Sequence, residues 1–372
     1  MKRKIILSVL LLTGSLPVSA AMIDLTGIGY VTYGDFNSYS MPIAALQTGC
    51  ANFNSSCPFY IQSGPGQIQD LVVVATGASG NPVNTNFAGM DNAYSTPSGV
   101  SGSNFFSTGT VADPNQVSDF SGDKANTWDS SLLALKNYLA GDAMAFFFNN
   151  NNLNGANLQS LAVWAQMEVT DDSGNRVGIF DFTNNAGAYS LVSEGGGGTF
   201  LGNVADYSST GSGPMVGDNS ATDYVLAGGP ICINYSLIPG MPTPVSCNSP
   251  LAEDGPVNHN LGADTAAYAV IAPELNALLE SLFALDDQLL QSYTMHIDFR
   301  MGCDPLFGIS TDEMCSGALS GYGKNINNGY EQLFIGTARI NREPPPGIPE
   351  PGMLFMFSTG LLALRWRLAS RR

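Results

Sequence analysis

Residues Leu161–Thr170 alternate without a break. Leu161, Val163, Ala165, Met167 and Val169 fall on one face of an extended chain. Ala162, Trp164, Gln166, Glu168 and Thr170 fall on the other. Successive side chains of a strand point to opposite faces, so a period of two predicts a β-strand with one face on a core. Asp171-Asp172-Ser173-Gly174-Asn175 follows as a turn, and Val177–Phe182 returns as the second strand of a hairpin. Further candidate strands are Thr26–Tyr33, Leu71–Thr76, Ala143–Phe148, Tyr224–Ala227, Ala266–Ala272, Tyr293–Met301 and Gln332–Ile340, separated by loops rich in Gly, Ser and Asn. Many strands joined by antiparallel hairpins predict a mostly β chain with a β-sandwich or jelly-roll-like fold.

Two short helices interrupt this pattern. Ser130–Ala140 sets Leu132, Leu135 and Leu139 on one side, with Asp129 or Ser130 as N-cap and Gly141 as stop. Pro273–Phe283 opens on proline, carries Glu274 in its first turn and turns Leu275, Leu278, Leu279 and Leu282 inward. Each is expected to plug an end or cover a face of the sandwich. Gly77–Gln116 and Glu194–Asn219 read as long loops. No repeat of fixed period is visible, which argues against a solenoid.

Composition narrows the classes further. Hydrophobic residues reach 44%, enough to build a core. Charged residues make up 12%, about half the roughly 25% of an ordinary soluble domain. With 42 Gly and 21 Pro among 372 residues, long helices and coiled coils are disfavoured. The net charge of −17 argues against nucleic acid as a partner, because a polyanion would meet a negative surface. Seven of the 14 bases stand in the two ends, against two of the 31 acids, so an acidic body lies between basic termini.

Those termini read as targeting segments. Lys2, Arg3 and Lys4 precede an apolar run from Ile5 to Leu12, and Val18-Ser19-Ala20 supplies small residues for cleavage after Ala20. Basic, apolar, small is the order of a secretory signal peptide, here residues 1–20. The run is too short to span roughly 30 Å of hydrocarbon. At the other end, Pro344-Pro345-Pro346 opens a stiff spacer, residues 343–351, that leads to Pro349-Glu350-Pro351. An apolar, transmembrane-like stretch from Gly352 to Leu364 follows, closed by Arg365, Arg367, Arg371 and Arg372. Positive charge stays on the cytoplasmic side, so the stretch would hold Pro349-Glu350-Pro351 just outside the inner membrane.

This tail resembles the PEP-CTERM sorting domain of Gram-negative bacteria, over residues 349–372. The resemblance implies an exosortase as processing partner, beside signal peptidase at the N-terminus. It implies transient anchoring in the inner membrane of a polysaccharide-producing bacterium. The apolar run is short for a permanent anchor and suits a temporary one. Residues 21–342 then form a β-rich extracellular domain. That body resembles ectodomains of other proteins with this tail through the hairpin Leu161–Phe182 and the segment Asn325–Ile335, a likeness that implies no activity.

Six cysteines fall in three close pairs, Cys50/Cys57, Cys232/Cys247 and Cys303/Cys315. Export delivers them to an oxidising compartment, where disulfides are the rule. Closing a short loop costs least entropy, so the three local pairings are expected among the 15 possible. C-x-x-C and Cys/His metal spacing is absent.

Candidate chemistry is sparse. Asp171, Asp172 and Asn175 offer hard oxygen ligands that suit Ca²⁺, and the same residue types also serve local turn hydrogen bonds. No other cofactor is suggested. Along Tyr293–Met301, Thr294, His296, Asp298 and Arg300 share one face. They read either as an acid/base group or, preferably, as a solvated strand face with Asp298 and Arg300 paired. Asp286/Asp287 and Glu253/Asp254 are adjacent carboxylates, which does not place them across a sugar. His259 and His296 are the two histidines, so a two-histidine metal site needs both. Trp128 and Trp164 suit either sugar stacking or core packing. Serine-hydrolase, zinc-protease, P-loop and dinucleotide fingerprints are missing. These readings favour a non-enzymatic surface or matrix protein, in contact with extracellular polysaccharide. A carbohydrate- or calcium-binding module ranks second and a polysaccharide-modifying enzyme third.

Overall fold

The structure is a computed structural model. It describes residues 22–33, 35–50, 52–64, 71–77, 84–97, 105–109, 111, 113–114, 120–151, 163–183, 231–239, 241–247, 250–302 and 331–340. The chain divides after Arg339, and apart from Ile340 the second unit, Ile340–Arg372, lies outside those residues. So do Ala20 and the rest of the signal segment, the Pro349-Glu350-Pro351 motif, Cys303, Cys315 and the candidate strand Tyr224–Ala227.

The first unit is mostly β, as the alternation requires. One sheet has eight strands. Its path runs β2 (Val31–Tyr33), β3 (Phe36–Ser40), β13 (Ala266–Ile271), β8 (Ala143–Asn149), β15 (Leu333–Arg339), β4 (Val72–Thr76) and β5 (Tyr94–Ser95), with β1 (Met22–Asp24) parallel to the end of β15. A five-stranded sheet runs β10 (Arg176–Thr183), β9 (Val163–Thr170), β14 (Thr294–Gly302) and β6 (Phe105–Ser107), and β7 (Trp128–Ser131) pairs with the other half of β14. A separate hairpin joins β11 (Ile231–Ile238) to β12 (Met241–Ser246).

The two large sheets face each other across aromatic rings. Phe148 on β8 meets Phe182 on β10 at 6.0 Å and Phe299 on β14 at 5.9 Å. Phe36 on β3 meets Phe182 edge-on at 5.7 Å. Offset and edge-to-face rings at these distances are favourable beyond the area they bury. The arrangement is that of a sandwich. Strand β8 reads Ala-Met-Ala-Phe-Phe-Phe-Asn and is buried along nearly its whole length. Phe146 and Phe148 point to the second sheet, while Phe147 points away and stacks on Phe334 of β15 at 5.4 Å. A continuous apolar run marks a central strand covered on both faces.

Both expected helices form. Helix α2 spans Leu132–Leu139, capped by Ser131, whose side chain accepts from the Ala134 amide at 3.3 Å. The cap is neither Asp129 nor Ser130, because the extended strand β7 runs on through Ser131, and Asp129 and Ser130 pair inside it with His296 and Met295 of β14. Helix α3 spans Pro273–Leu282, with Leu275 and Leu279 buried and Leu278 and Leu282 half-covered against the core. A side chain at Gly178 of β10 would overlap Leu278, so the glycine lets α3 approach the sheet. Two more helices were not visible in the sequence pattern, α1 (Met41–Gln47), capped by Ser40, and the single turn α4 (Asp287–Leu290), capped by Asp286.

Cys232 and Cys247 are disulfide-bonded across the β11–β12 hairpin. The expected Cys50–Cys57 bond is not formed, and both thiols are free. The Cys50 amide is drawn to Ala45 at the end of α1, and the Cys57 amide to Asn54 in a tight turn. The two thiols meet as a hydrogen-bonded pair, and burial pushes the Cys57 thiol up to about 11.

Asn276 of α3 completes the sheet where β13 has ended. Its side-chain oxygen accepts from the Met144 amide at 2.7 Å, and its nitrogen donates to the Met144 carbonyl at 3.1 Å. The amide thus stands in for a strand peptide. Asn276→Ala strips both partners from a buried strand and should cost about 2 kcal/mol, read as a lower urea midpoint at unchanged slope.

Candidate functional site

Strand β14 organises the polar interior. Its apolar face, Met295, Ile297, Phe299 and Met301, is buried as the alternation predicts. The opposite face is not solvated. Thr294, His296, Asp298 and Arg300 are each at most 2% exposed. The expectation of a wet face fails because residues of the loops around β6 and before β7 close over it. Thr108 donates to Asp298 at 3.3 Å, and Thr294 donates to the Ser121 carbonyl at 3.0 Å. Gly122 has φ +89°, and a side chain there would overlap the Thr294 hydroxyl, so only glycine brings the loop this close.

The expected Asp298–Arg300 pair is present at 3.0 Å, now as a buried salt bridge. His296 is also engaged. Its Nδ1 lies 2.9 Å from Asp129 Oδ1 on β7, and its Nε2 lies 2.9 Å from the Thr170 hydroxyl on β9. Register explains both contacts, because His296 faces Asp129 on one side and Glu168, two residues before Thr170, on the other.

Asp129 belongs to a group of aspartates. One carboxylate oxygen from each of Asp91, Asp123 and Asp129 lies within 4.8 Å of the others, the grouping of this kind found among the described residues. Backbone geometry holds Asp91 and Asp129 together. The Asp91 amide donates to the Asp129 carbonyl at 2.9 Å, and the Asp129 amide donates to Asp91 Oδ2 at 2.7 Å. Trp128 and Asn86 both donate to the Asp91 carbonyl. The Lys124 amide donates to Asp129 Oδ2, whereas the Lys124 ammonium turns away to Glu168 at 3.3 Å. Asp91 is fully buried, and its Oδ1 has no hydrogen-bond partner. Burial, then the charge of Asp129, pushes the Asp91 carboxyl up to about 9, with Asp123 and Asp113 adding to the effect and the Asp129 amide opposing it. The Tyr94 hydroxyl, which donates to Thr127, is raised by burial and by the same carboxylates.

Residues 22–300 match the model of a family described as a domain of unknown function, DUF8239. The chain belongs to the DUF8239 family. No curated protein and no solved structure matches it. The DUF8239 match includes all three aspartates of the cluster and β14 as far as Arg300.

Other sequence-derived candidates have local partners. Asp171 Oδ1 accepts from the amides of Ser173 and Asn175, Oδ2 accepts from the Asn175 side chain at 3.1 Å, and Asp172 accepts from the Ser173 hydroxyl. Asp286 caps α4 and Asp287 pairs with Lys136 at 2.9 Å. Glu253 and Asp254 accept from the Tyr235 amide and hydroxyl. Trp128 is a core residue, and the Trp164 side chain lies outside the described residues. The two histidines have separate partners. His259 stacks on Tyr268 at 5.1 Å, and its Nε2 lies 2.7 Å from the Ser40 hydroxyl.

Sequence reasoning missed Asp91 and Asp123, and treated Asp129 as a helix cap. They are scattered over a Gly- and Asn-rich stretch with no fixed spacing, and only the pairing of β7 with β14 and the bridge from Met90 to Ser130 assemble them.

Two outcomes follow. Arg300→Met leaves Asp298 buried without its cation and should destabilise by about 3–5 kcal/mol, while the double variant Asp298→Leu/Arg300→Met should recover most of that loss in denaturant unfolding. His259 is held down to about 4 by burial, below its ordinary 6.5. The unfolded chain therefore takes up this proton first, and stability falls as pH drops from 6.5 toward 4, by up to about 1.4 kcal/mol per pH unit from this group. In His259→Gln that contribution should vanish, so the stability gap to the parent chain narrows between pH 6.5 and 4.

Proposed function

We propose that the chain is an exported, non-enzymatic surface or matrix protein, sorted by its PEP-CTERM-like tail. The observation that carries this reading is the pairing of two signals on one chain. Basic, apolar and small residues stand at one end, and Pro349-Glu350-Pro351, an apolar stretch and four arginines stand at the other. Signal peptidase removes residues 1–20. The tail enters the inner membrane briefly, and an exosortase cuts near Pro349-Glu350-Pro351. The body reaches the cell surface or the polysaccharide around it. No helix among the described residues is long and apolar enough to cross a membrane, and residues 352–372 lie outside those residues.

The Cys232–Cys247 disulfide supports an oxidising destination. A scaffold or binding role is supported by the way the acid/base candidates of β14 are tied into the interior, His296 to Asp129 and Thr170, and Asp298 to Arg300. The alternative that a specific observation favours is calcium binding, through Asp91, Asp123 and Asp129 behind β14.

Mass spectrometry of the protein from envelope and medium of a producing strain tests the reading. The mature chain should begin after Ala20 and end near the motif. Alanine in place of Pro349, Glu350 and Pro351 should leave Arg372 in place and hold the chain in the inner-membrane fraction. Recovery of the unaltered protein from the medium with Arg372 intact would overturn it.

A further inference from the structure

We infer that Asp91, Asp123 and Asp129 form a calcium site that locks the loops behind β14 onto the five-stranded sheet. The first support is geometric. Calcium holds its oxygen ligands at about 2.3–2.6 Å, so two ligands on opposite sides of one ion stand about 4.8 Å apart. The three carboxylate oxygens fall within that span. Magnesium, at about 2.1 Å in a strict octahedron, requires a tighter set. Cysteine is absent from the group, and the one nearby imidazole faces Asp129 as a hydrogen-bonding partner, so the donors are hard oxygens throughout.

The second support is the Asp91 side chain itself. It is fully buried in the group, and its Oδ1 has no hydrogen-bond partner. A buried carboxylate oxygen left without a donor is costly, and a cation supplies what is missing. The neighbouring charges are of the same sign, since Asp129, Asp123 and Asp113 all act on Asp91. The Lys124 ammonium, the nearest cation in sequence, is committed to Glu168.

The third support is how the ligands are held. Asp129 accepts from His296 and from the Lys124 amide, which fixes its plane, as outer partners do for metal-ligating groups. Asp91 is fixed through Asp129, Trp128 and Asn86. Asp123 is half-buried, so water has access on its side to complete the coordination shell. The three ligands come from three stretches of chain: the segment behind β4, the Gly122 loop and β7. One ion therefore ties the Gly122 loop to β7 and to the segment before β5. The proposal deepens the export reading, because an exported domain meets calcium at the levels that weak extracellular sites require.

The experiment uses the full-length chain, purified in mild detergent and stripped with EDTA. Titration with calcium chloride alone, followed calorimetrically, should show one ion per chain with a dissociation constant of about 10⁻³ M or tighter. The melting temperature should rise by about 3 °C at tenfold that concentration. Asp91→Asn and Asp123→Asn should each weaken binding at least tenfold and abolish the rise. Asp172→Asn, in the exposed turn, should keep both. In EDTA, Asp91→Asn should melt no lower than the parent, since the amide is neutral and keeps an oxygen to accept from the Asp129 amide. If Asp91→Asn fails to fold, Asp123→Asn alone decides. No heat of binding and no calcium-dependent rise in the parent chain would overturn the proposal, and so would a rise retained in Asp123→Asn. These readouts use purified protein, so they stand whether or not the tail is cut in the cell.

Discussion

The burial of β14 on both faces is the constraint on which the rest of the structure depends. A central strand of a two-layer sandwich normally packs one face on the core and leaves the other wet. Here the inner face carries Met295, Ile297, Phe299 and Met301, and Phe299 locks against Phe148 of the facing sheet. The outer face carries His296, Asp298 and Arg300, which cannot be buried without partners. The fold must therefore deliver partners from elsewhere. Asp129 comes from β7, Thr170 from β9 and Thr108 from the loop after β6. This requirement fixes where β6 and β7 pair, and hence where α2 begins.

Much of the framework was legible from apolar pattern. The hairpin β9–β10 follows from alternation, the strands β4, β8, β13 and β15 from apolar runs between loop residues, and the helices α2 and α3 from leucine spacing. The parts that escaped share one property: their local sequence argues for something else. Trp128-Asp-Ser-Ser131 looks like the approach to a helix, and becomes a strand because β14 offers an unpaired edge. Phe105–Ser107 and Tyr94–Ser95 are too short to show a period, and exist because longer strands template them. The wet-face reading of β14 failed for a similar reason. Alternation reports that two faces differ, not that one of them meets water.

Asparagine side chains also stand in for strand peptides, one from helix α3 and one from a loop. Asn276 gives Met144 both halves of a peptide's hydrogen bonding. Asn86 does the same for Val73, accepting from its amide at 2.9 Å and donating to its carbonyl at 2.7 Å, and it reaches the Asp91 carbonyl as well. A primary amide carries a donor and an acceptor in a peptide-like plane, so it can extend a ladder where no strand is available. A chain with few charged residues can in this way satisfy backbone at sheet margins without burying ions. Composition pointed to loops, and one of those loop residues, Asn86, acts as a missing strand segment.

The aspartate cluster departs from that economy of charge, and the contrast is informative. Elsewhere in the described interior, each buried ionic group of β14 has a partner of opposite sign or a hydroxyl. Around Asp91 the charged neighbours that act on it are all carboxylates. A core that uses neutral amides at its sheet margins and pairs its buried arginine has no packing reason to gather like charges behind one strand. Repulsion of that kind lasts in a fold only where it is neutralised, by a proton or by a cation. A proton on Asp91 neutralises one carboxylate of the group and does nothing for the oxygens of Asp123 and Asp129 beside it. The cation satisfies Asp91 Oδ1 together with the oxygens of Asp123 and Asp129, so the geometry favours the ion.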